Sequence, residues 1–466
     1  MSTFYEQQLL ILVVACVIWL VVDNRLSRAS TQKEHVTQAL AQSVWRLTRQ
    51  YLVVYAIVMG ADWLQGPYVY SLYREQYGFP ERLVAVLFVT GFVSAGITAP
   101  LVGAWADQYG RKRLCLVFCA TYASACACIM VPWMPVLLFG RLLGGISTSI
   151  LYSAFESWLV SSSNSLGFGQ SELSSILGRA TLVNGFVAAG AGVFSNQLVS
   201  FTHSFASPFL ASGILLSLAW FTIRGMWSEN YGAQDASYSR GGGSGFFQLS
   251  RLGQAWKIVT SDPKLMVLGL TQTCFEGSMY LFVFLWVPSL QESSSSGSLP
   301  LGYIFSCFMI SMMLGSLFYT SIVSFFSAPT STTSTPSSAR DEPLVLHAKL
   351  SSLVCAVSAL TFAITIGHDD EHVRFWAFCA FEACVGMYYP VQGMLRGSLI
   401  SNEHRATLSS LFRVPLNIFV VVSLLTGVSS ARYTVLTASA CMLGFSSLMT
   451  GFVVVRGLDQ SSGMPH

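Results

Sequence analysis

Apolar residues along this chain gather into runs of about 20, the length an α-helix needs to cross the hydrocarbon core of a bilayer, and polar residues gather between them. After a short first run at 8–22 and a basic stretch to residue 49, twelve runs follow. They lie near 50–72, 83–103, 114–132, 134–160, 177–201, 206–224, 264–289, 300–326, 344–366, 373–396, 406–429 and 432–455. Six precede the polar segment 225–263 and six follow it. That segment contains Arg-Gly-Gly-Gly-Ser-Gly from Arg240 to Gly245, a flexible composition, and a second polar loop from Ser327 to Pro343 reads as disordered. The pattern predicts an all-α membrane protein with 12 core transmembrane helices in two six-helix bundles, 50–224 and 264–456. A cytoplasmic central loop, 225–263, joins them, and a cytoplasmic tail, 457–466, ends the chain. An N-terminal hydrophobic anchor, 1–23, and a cytoplasmic basic linker, 24–49, stand in front.

Composition narrows the class. Hydrophobic residues make up 53% and charged residues only 10%, too few to cover a water-facing surface. A net charge of +3, dispersed along the chain, gives no basis for nucleic-acid binding. The 11 cysteines all lie in apolar runs without zinc-finger spacing, so they read as reduced small hydrophobes. Of the 25 Lys and Arg, eighteen, Arg396 among them, fall on one side if the loop before the first core helix is cytoplasmic. Four (Arg74, Arg82, Arg374, Arg432) fall on the other side and three (Arg141, Arg179, Arg413) within spans, a strong positive-inside bias. The run 8–22 has its basic flank, Arg25 and Arg28, behind it, the reverse of a cleaved signal peptide. It is read as an extra anchor helix with its N-terminus outside.

Between the second and third core runs stands Gly103-Ala-Trp-Ala-Asp107-Gln-Tyr-Gly110-Arg111-Lys112-Arg113. It resembles the G-x-x-x-D-x-x-G-[RK]-x-[RK] loop signature of the major facilitator superfamily. Gly103 permits close helix approach, Gly110 a tight turn, and Asp107 can accept bonds from Arg or a helix N-terminus. With Arg111 and Arg113 these residues form a candidate cytoplasmic gate. The matching loop of the second half, around 328–343, lacks the signature.

Ionisable side chains inside spans are costly and read as functional. Asp62, Glu156, Glu276 and Glu382 are the candidate coupling carboxylates, and Arg141, Arg179 and Arg413 the in-span cations. Their placement repeats. Phe155-Glu156 mirrors Phe381-Glu382, Arg179 through Asn184 resembles Arg413 through Asn417, and Asp62 and Glu276 sit at matching depths. Two halves related by an axis along the membrane normal would show this, with a substrate site between them. Glu156, placed about a turn from the cytoplasmic end of its helix, could equally pair with Arg179, and Arg141 before Gly144-Gly145 could simply tie helices together. The stretch Gly178–Gly192 reads as close helix packing.

Longer strings carry a closer resemblance. Ala61-Asp62-Trp63-Leu64-Gln65-Gly66-Pro67-Tyr68, Gly140-Arg141 through Thr148, Ser153-Ala-Phe-Glu156-Ser-Trp158, Phe282 through Pro288 and Phe412-Arg413-Val-Pro415-Leu416 look like the molybdate-anion transporter family. The similarity runs from about residue 45 to 456 and implies uptake of molybdate, a tetrahedral oxyanion, across the plasma membrane. Arginine suits oxyanions, because its planar fork offers paired donors and stays charged when buried. Arg413, Arg179 and Arg141, with Asn184, Asn417 and Gln65, are the expected substrate-binding residues. Four acids against three arginines means that carboxylates pair with the cations or carry protons during transport, which would make protons a second partner. A monomer without cofactor is expected. The alternatives are the same fold carrying a small organic or sugar-like solute, and a non-transporting sensor or scaffold. No nucleophile motif or metal-ligand spacing points to an enzyme. His203, His347, His368, His372 and His404 read as lying in or beside loops, and the cluster His368 to His372 as a solvated one.

Overall fold

The computed structural model describes residues 2–30, 38–231, 256–294, 299–326, 338–400, 405–426 and 432–456. Among them are thirteen long helices and no strand. They are α1 (Ser2–Ser30), α2 (Gln38–Trp63), α3 (Glu81–Tyr109), α4 (Arg111–Ile129), α5 (Met134–Ser165), α6 (Gln170–Thr202) and α7 (Ser207–Met226). After these come α8 (Pro263–Ser293), α9 (Leu301–Phe326), α10 (Ser338–Gly367), α11 (Glu371–Leu399), α12 (Arg405–Thr426) and α13 (Arg432–Met449), the last running into a π-helical turn at Thr450–Val455. Eleven of the twelve apolar runs each become one helix, α3 to α13; the run 50–72 falls partly in α2 and partly beyond its end, and the run 8–22 becomes the middle of α1.

Ten of these helices are long and apolar enough to cross a membrane. Of the other three, α2, with Asp62, and α11, with Glu382 and Arg396, fall short, whereas α12, with Arg413, is apolar over Leu411–Thr426. Polar residues lower the hydropathy of α2 and α11. Helix starts follow from local sequence. Asp262 caps α8 by accepting from the Lys264 N–H at 2.8 Å with Pro263 in the first turn, and Asp370 caps α11 by accepting from Val373 N–H at 2.9 Å. Part of the second polar loop is helical, since α10 begins at Ser338; residues 327–337 lie outside the described part.

Contacts divide the chain into two compact units. The first comprises Met1–Leu10, Asn24–Gly242 and Pro300–Met309. Its core is aromatic at one end, with Trp158 and Trp227 stacked at 3.8 Å and Phe155 and Tyr51 against Trp227. α3 and α5 cross closely at Gly145, where an added Cβ would come 2.5 Å from the Gly91 carbonyl oxygen. In the stretch Gly178–Gly192 only part of the expected packing is found. Gly192 lies hard against Gly302 and Ser306, but a Cβ at Gly178 or Gly190 would meet nothing within 4 Å.

The second unit comprises Ile11–Asp23, Gly243–Leu299 and Ile310–His466. Arg374, which the sequence assigns to an outer loop, is 1% exposed in the first turn of α11. Its guanidinium donates to the carbonyls of His368 at 2.8 Å and Ser289 at 2.9 Å, to Asp369 at 2.7 Å and to the Tyr433 hydroxyl at 3.1 Å. The acidic run 369–371 is thereby partly absorbed into structure: Asp369 holds Arg374, Asp370 caps the helix and Glu371 is buried. His347 is not a loop residue either. It is buried in α10 and bonded to the Tyr319 hydroxyl at 3.0 Å, inside the apolar run that begins at Leu344.

The anchor helix lies along α9. In the first unit the Cys307 thiol approaches the Tyr5 carbonyl at 3.9 Å, and in the second the Trp19 indole N–H donates to Ser321 at 3.0 Å. Both pairs are separated by 302 residues, so α1 and α9 run side by side in the same direction. Tyr5, Leu12 and Cys16 are buried on this seam, while Leu10, Ile11, Val14 and Ile18 face outward.

Arg374→Ala removes a charged group that holds α8, α11 and α13 together and leaves several acceptors without a donor. The apparent melting temperature of the detergent-purified chain is expected to fall by roughly 5–10 °C. An unchanged melting curve would show that the clamp contributes nothing.

Candidate functional site

α2 does not run through as its hydropathy suggests. It stops at Trp63, because Pro67 has no N–H to offer and disfavours a helical Gly66. The chain crosses Leu64–Tyr68 in tight turns, with Gly66 N–H on the Trp63 carbonyl and Tyr68 N–H on the Gln65 carbonyl, each at 3.3 Å. Helix resumes at Val69–Ser71 and passes into a π-helical turn at Leu72–Gln76. Asp62 therefore sits at a break in a spanning helix, where backbone groups turn away from the helical ladder.

Beside this break the first unit holds a cavity of about 280 Å³ lined by Asp62, Gln65, Tyr73, Tyr122, Arg141 and Thr148, among others. The Tyr122 hydroxyl donates to Asp62 at 2.6 Å. The Arg141 guanidinium lies 5.4 Å from the Tyr73 ring centre and 5.0 Å from that of Phe88, and its buried Nε has no hydrogen-bond partner among the described residues. Gln65 donates to the Ala61 carbonyl at 3.3 Å, and the Trp63 indole N–H donates to Asn184 Oδ1 at 2.8 Å. The Asn184 amide nitrogen is left to donate elsewhere. Of the predicted residues, then, Asp62, Gln65 and Arg141 share one cavity, and Asn184 reaches its rim through Trp63. Tyr122 and Thr148 complete it; sequence reading missed both, since hydroxyls inside apolar helices carry no periodic signal.

Glu156 and Arg179 are exposed on the first unit and form no ion pair with each other. Glu156 is not a turn from its helix end but nine residues from it, since α5 continues to Ser165. The serine-rich tail stays helical because Asn230 Nδ2 donates to Ser162 at 2.9 Å and to the Trp158 carbonyl at 3.1 Å. Glu156 lies within electrostatic reach of Tyr51 and Tyr55 on α2.

In the second unit Glu276 on α8 is the organised carboxylate. It pairs with Arg396 at 2.9 Å and accepts from the Tyr388 hydroxyl at 3.2 Å and from Gln272 at 3.3 Å. Phe275 stacks on Tyr388 at 3.9 Å and fixes that hydroxyl's approach. Arg396 corrects the sequence reading. Counted there as a cytoplasmic loop cation, it belongs to α11 and reaches back to the α8 carboxylate, so four acids face four arginines. Glu382 is buried and takes part in no ion pair among the described residues. Arg413 and Asn417 are exposed on α12, and Arg413 acts electrostatically on Tyr280.

The loop signature is organised by a residue the sequence reading left in the central loop. Gly110 joins α3 to α4 with φ +101°, a conformation that favours glycine, and a Cβ there would fall 2.6 Å from the Glu229 carboxyl carbon. Glu229 caps α4, accepting from Lys112 N–H at 2.8 Å and Arg113 N–H at 3.1 Å. Arg111 N–H donates to the Asn230 carbonyl at 3.0 Å, and Lys112 Nζ to the Trp227 carbonyl at 2.6 Å. Trp227 itself stacks on Trp158 and donates to the Gln50 carbonyl at 3.1 Å. Residues 227–231 thus fasten the end of α7 across the start of α4, with ties to α2 and α5. The side chains of Gly103 and Asp107 lie outside the described part of the structure.

Comparison with known proteins agrees with this architecture. Residues 10–331 match a family described as sugar transporters with 12 TM helices. A molybdate-anion transporter of Takifugu rubripes is 33% identical over 403 residues, covering 82% of this chain and 79% of the relative. One from Xenopus tropicalis is 32% identical, covering 89% and 86%. Among solved structures, a POT family transporter in complex with 5-aminolevulinic acid superposes with TM-score 0.64 at 9% identity, covering 91% of this chain and 97% of that one. The nucleoside transporter NupG superposes with TM-score 0.58 at 11% identity, covering 89% and 99%. The fold is that of the major facilitator superfamily, and the chain is a multi-pass membrane protein.

Cys115 reports on this joint between α3, α4 and α7. It is buried one turn into α4, beneath the Glu229 cap. Glu229→Ala is expected to raise its labelling rate by a soluble maleimide roughly tenfold or more, with Cys115→Ala identifying the signal. A rate equal to that of the parent chain would mean the segment is held without Glu229.

Proposed function

The chain belongs to the molybdate-anion transporter family of the major facilitator superfamily, and we propose that it takes up molybdate, or a related tetrahedral oxyanion, by alternating access. The observation that carries the reading is the cavity beside the break in α2. Arg141 is held there between two rings with buried donor capacity unspent inside the protein. A guanidinium so placed offers paired N–H donors to an oxyanion, and the Thr148 hydroxyl and Gln65 amide line the same space. About 280 Å³ is room for several waters at about 30 Å³ each, ample for one hydrated or partly dehydrated tetrahedral ion.

Asp62 stands in the same cavity and would repel a dianion unless neutralised. Proton uptake at Asp62 as the anion binds resolves the conflict and makes the transport proton-coupled. Glu276 plays the paired role in the second unit, where Arg396 balances its charge. Arg179, Arg413, Asn184 and Asn417 are further donors along the path, and Glu156 and Glu382 the remaining coupling carboxylates. The signature loop, Gly103 and Asp107 through Gly110, Arg111 and Arg113, is the cytoplasmic gate. Residues 50–224 and 264–456 act as the two moving bundles, and 1–23 anchors with its N-terminus outside. The protein works as a monomer in the plasma membrane.

Uptake of labelled molybdate by cells expressing the chain is the test. Arg141→Ala and Arg141→Lys are each expected to cut uptake at least tenfold, since lysine keeps the charge but loses the fork. Tungstate and sulfate should compete and neutral sugars should not, and collapsing the pH gradient should slow the parent chain. Full uptake in Arg141→Ala, Arg179→Ala and Arg413→Ala alike would remove the proposed site.

The Glu276–Arg396 pair is tested by a double-mutant cycle. Glu276→Gln and Arg396→Gln should each reduce uptake by tenfold or more, because each strands a half-buried charge. The double variant should recover part of the loss. Additive losses would show that the pair is not coupled.

A further inference from the structure

At the end of the first unit where α4 starts and α7 stops, a cavity of about 320 Å³ is lined by Lys112, Arg113, Leu116, Arg224, Glu229 and Tyr231. Three cations face one carboxylate there. That carboxylate is already engaged by the backbone N–H groups of Lys112 and Arg113, and Lys112 Nζ by the carbonyls of Arg224 and Trp227. The guanidiniums of Arg113 and Arg224 are the donors left over. Arg113 approaches Glu229 only at 3.9 Å and is 71% exposed, and Arg224 has no side-chain partner among the described residues.

The two helices that carry these arginines turn matching faces outward below them. On α4 the exposed positions after Arg113 are Val117, Ala120, Ser124 and Ala127, spaced at three and four residues. On α7 those leading up to Arg224 are Leu210, Ile214, Ser217, Leu218 and Phe221, the apolar ones being 61%, 65%, 50% and 71% exposed. Small side chains on one helix beside large apolar ones on its packed neighbour make a groove open to hydrocarbon. The charge bias of the loops puts its charged end at the cytoplasmic surface, where anionic lipids concentrate.

We propose that this cup and groove bind one anionic phospholipid of the cytoplasmic leaflet, its phosphate on Arg113 and Arg224 and an acyl chain between α4 and α7. The phosphodiester fits because two free guanidinium forks can take its paired oxygens and the cup keeps a net positive charge with Glu229 in place. Since Glu229 and Lys112 belong to both features, the lipid sits on the gate itself and adds weight to its fastened form.

The full chain, released from nanodiscs of phosphatidylcholine with a minority of phosphatidylserine, is examined by native mass spectrometry. One phosphatidylserine per chain is expected to survive collisional activation that strips phosphatidylcholine. Arg113→Gln with Arg224→Gln should lower its retention about tenfold, and Arg224→Gln alone, which breaks no contact within the protein, should lower it severalfold. Lys349→Gln, which neutralises an exposed cation on α10, should leave it unchanged. Equal retention of the two lipids, an equal loss in Lys349→Gln, or displacement of the lipid by millimolar inorganic phosphate would each overturn the assignment.

Discussion

A bilayer supplies no water to satisfy a charge, so each ionisable group inside a span needs a partner built into the protein. Much of this molecule is organised by that requirement. Asp62 takes the Tyr122 hydroxyl, Arg141 takes two ring faces, and Glu276 takes Arg396 together with Tyr388. At the margin Arg374 takes four acceptors drawn from α8, α13 and the turn before α11. The requirement is not met everywhere: among the described residues the Nε atoms of Arg141 and Arg396 are buried without a hydrogen-bond partner, and buried Glu382 has no ion pair. An unsatisfied donor in a polar cavity is where an anion gains most.

The architecture was legible because hydropathy is a long-range average. Eleven of the twelve runs became single helices even where a charge interrupts them. What the average conceals is what the chemistry uses. The Gly66-Pro67 dipeptide marked the break in α2, yet the apolar residues around it read as one continuous span. Arg396 lies near the end of its run and so looked like a loop cation; only the long reach of its side chain brings it to Glu276. Glu229 was hidden more deeply, because capping α4 pairs it with residues more than a hundred positions away. The repeat of acids and arginines between the halves was visible in sequence, but the surroundings differ: Asp62 is met by a hydroxyl, Glu276 by a guanidinium.

The joint at Gly110 illustrates how a loop motif acquires meaning from its neighbours. Gly110 supplies a backbone conformation and leaves room, and Glu229 fills that room with a charge that caps the next helix. Aromatic stacking of Trp227 on Trp158 then holds the segment that carries Glu229. A turn, a cap and a stacked ring pair are each modest, but together they make the start of α4 and the end of α7 a single mechanical element.

The side-by-side course of α1 and α9 bears on how the protein is made. Partners 302 residues apart cannot meet until the ribosome has passed both, and at roughly 5–20 residues per second that is a wait of some 15–60 seconds. The earlier of the two helices therefore waits for its seat until α9 has been made. Until then its aromatic and cysteine-bearing face must be sheltered by lipid or by the insertion machinery, which makes biogenesis, rather than the finished fold, the stage at which changes to that seam would be felt first.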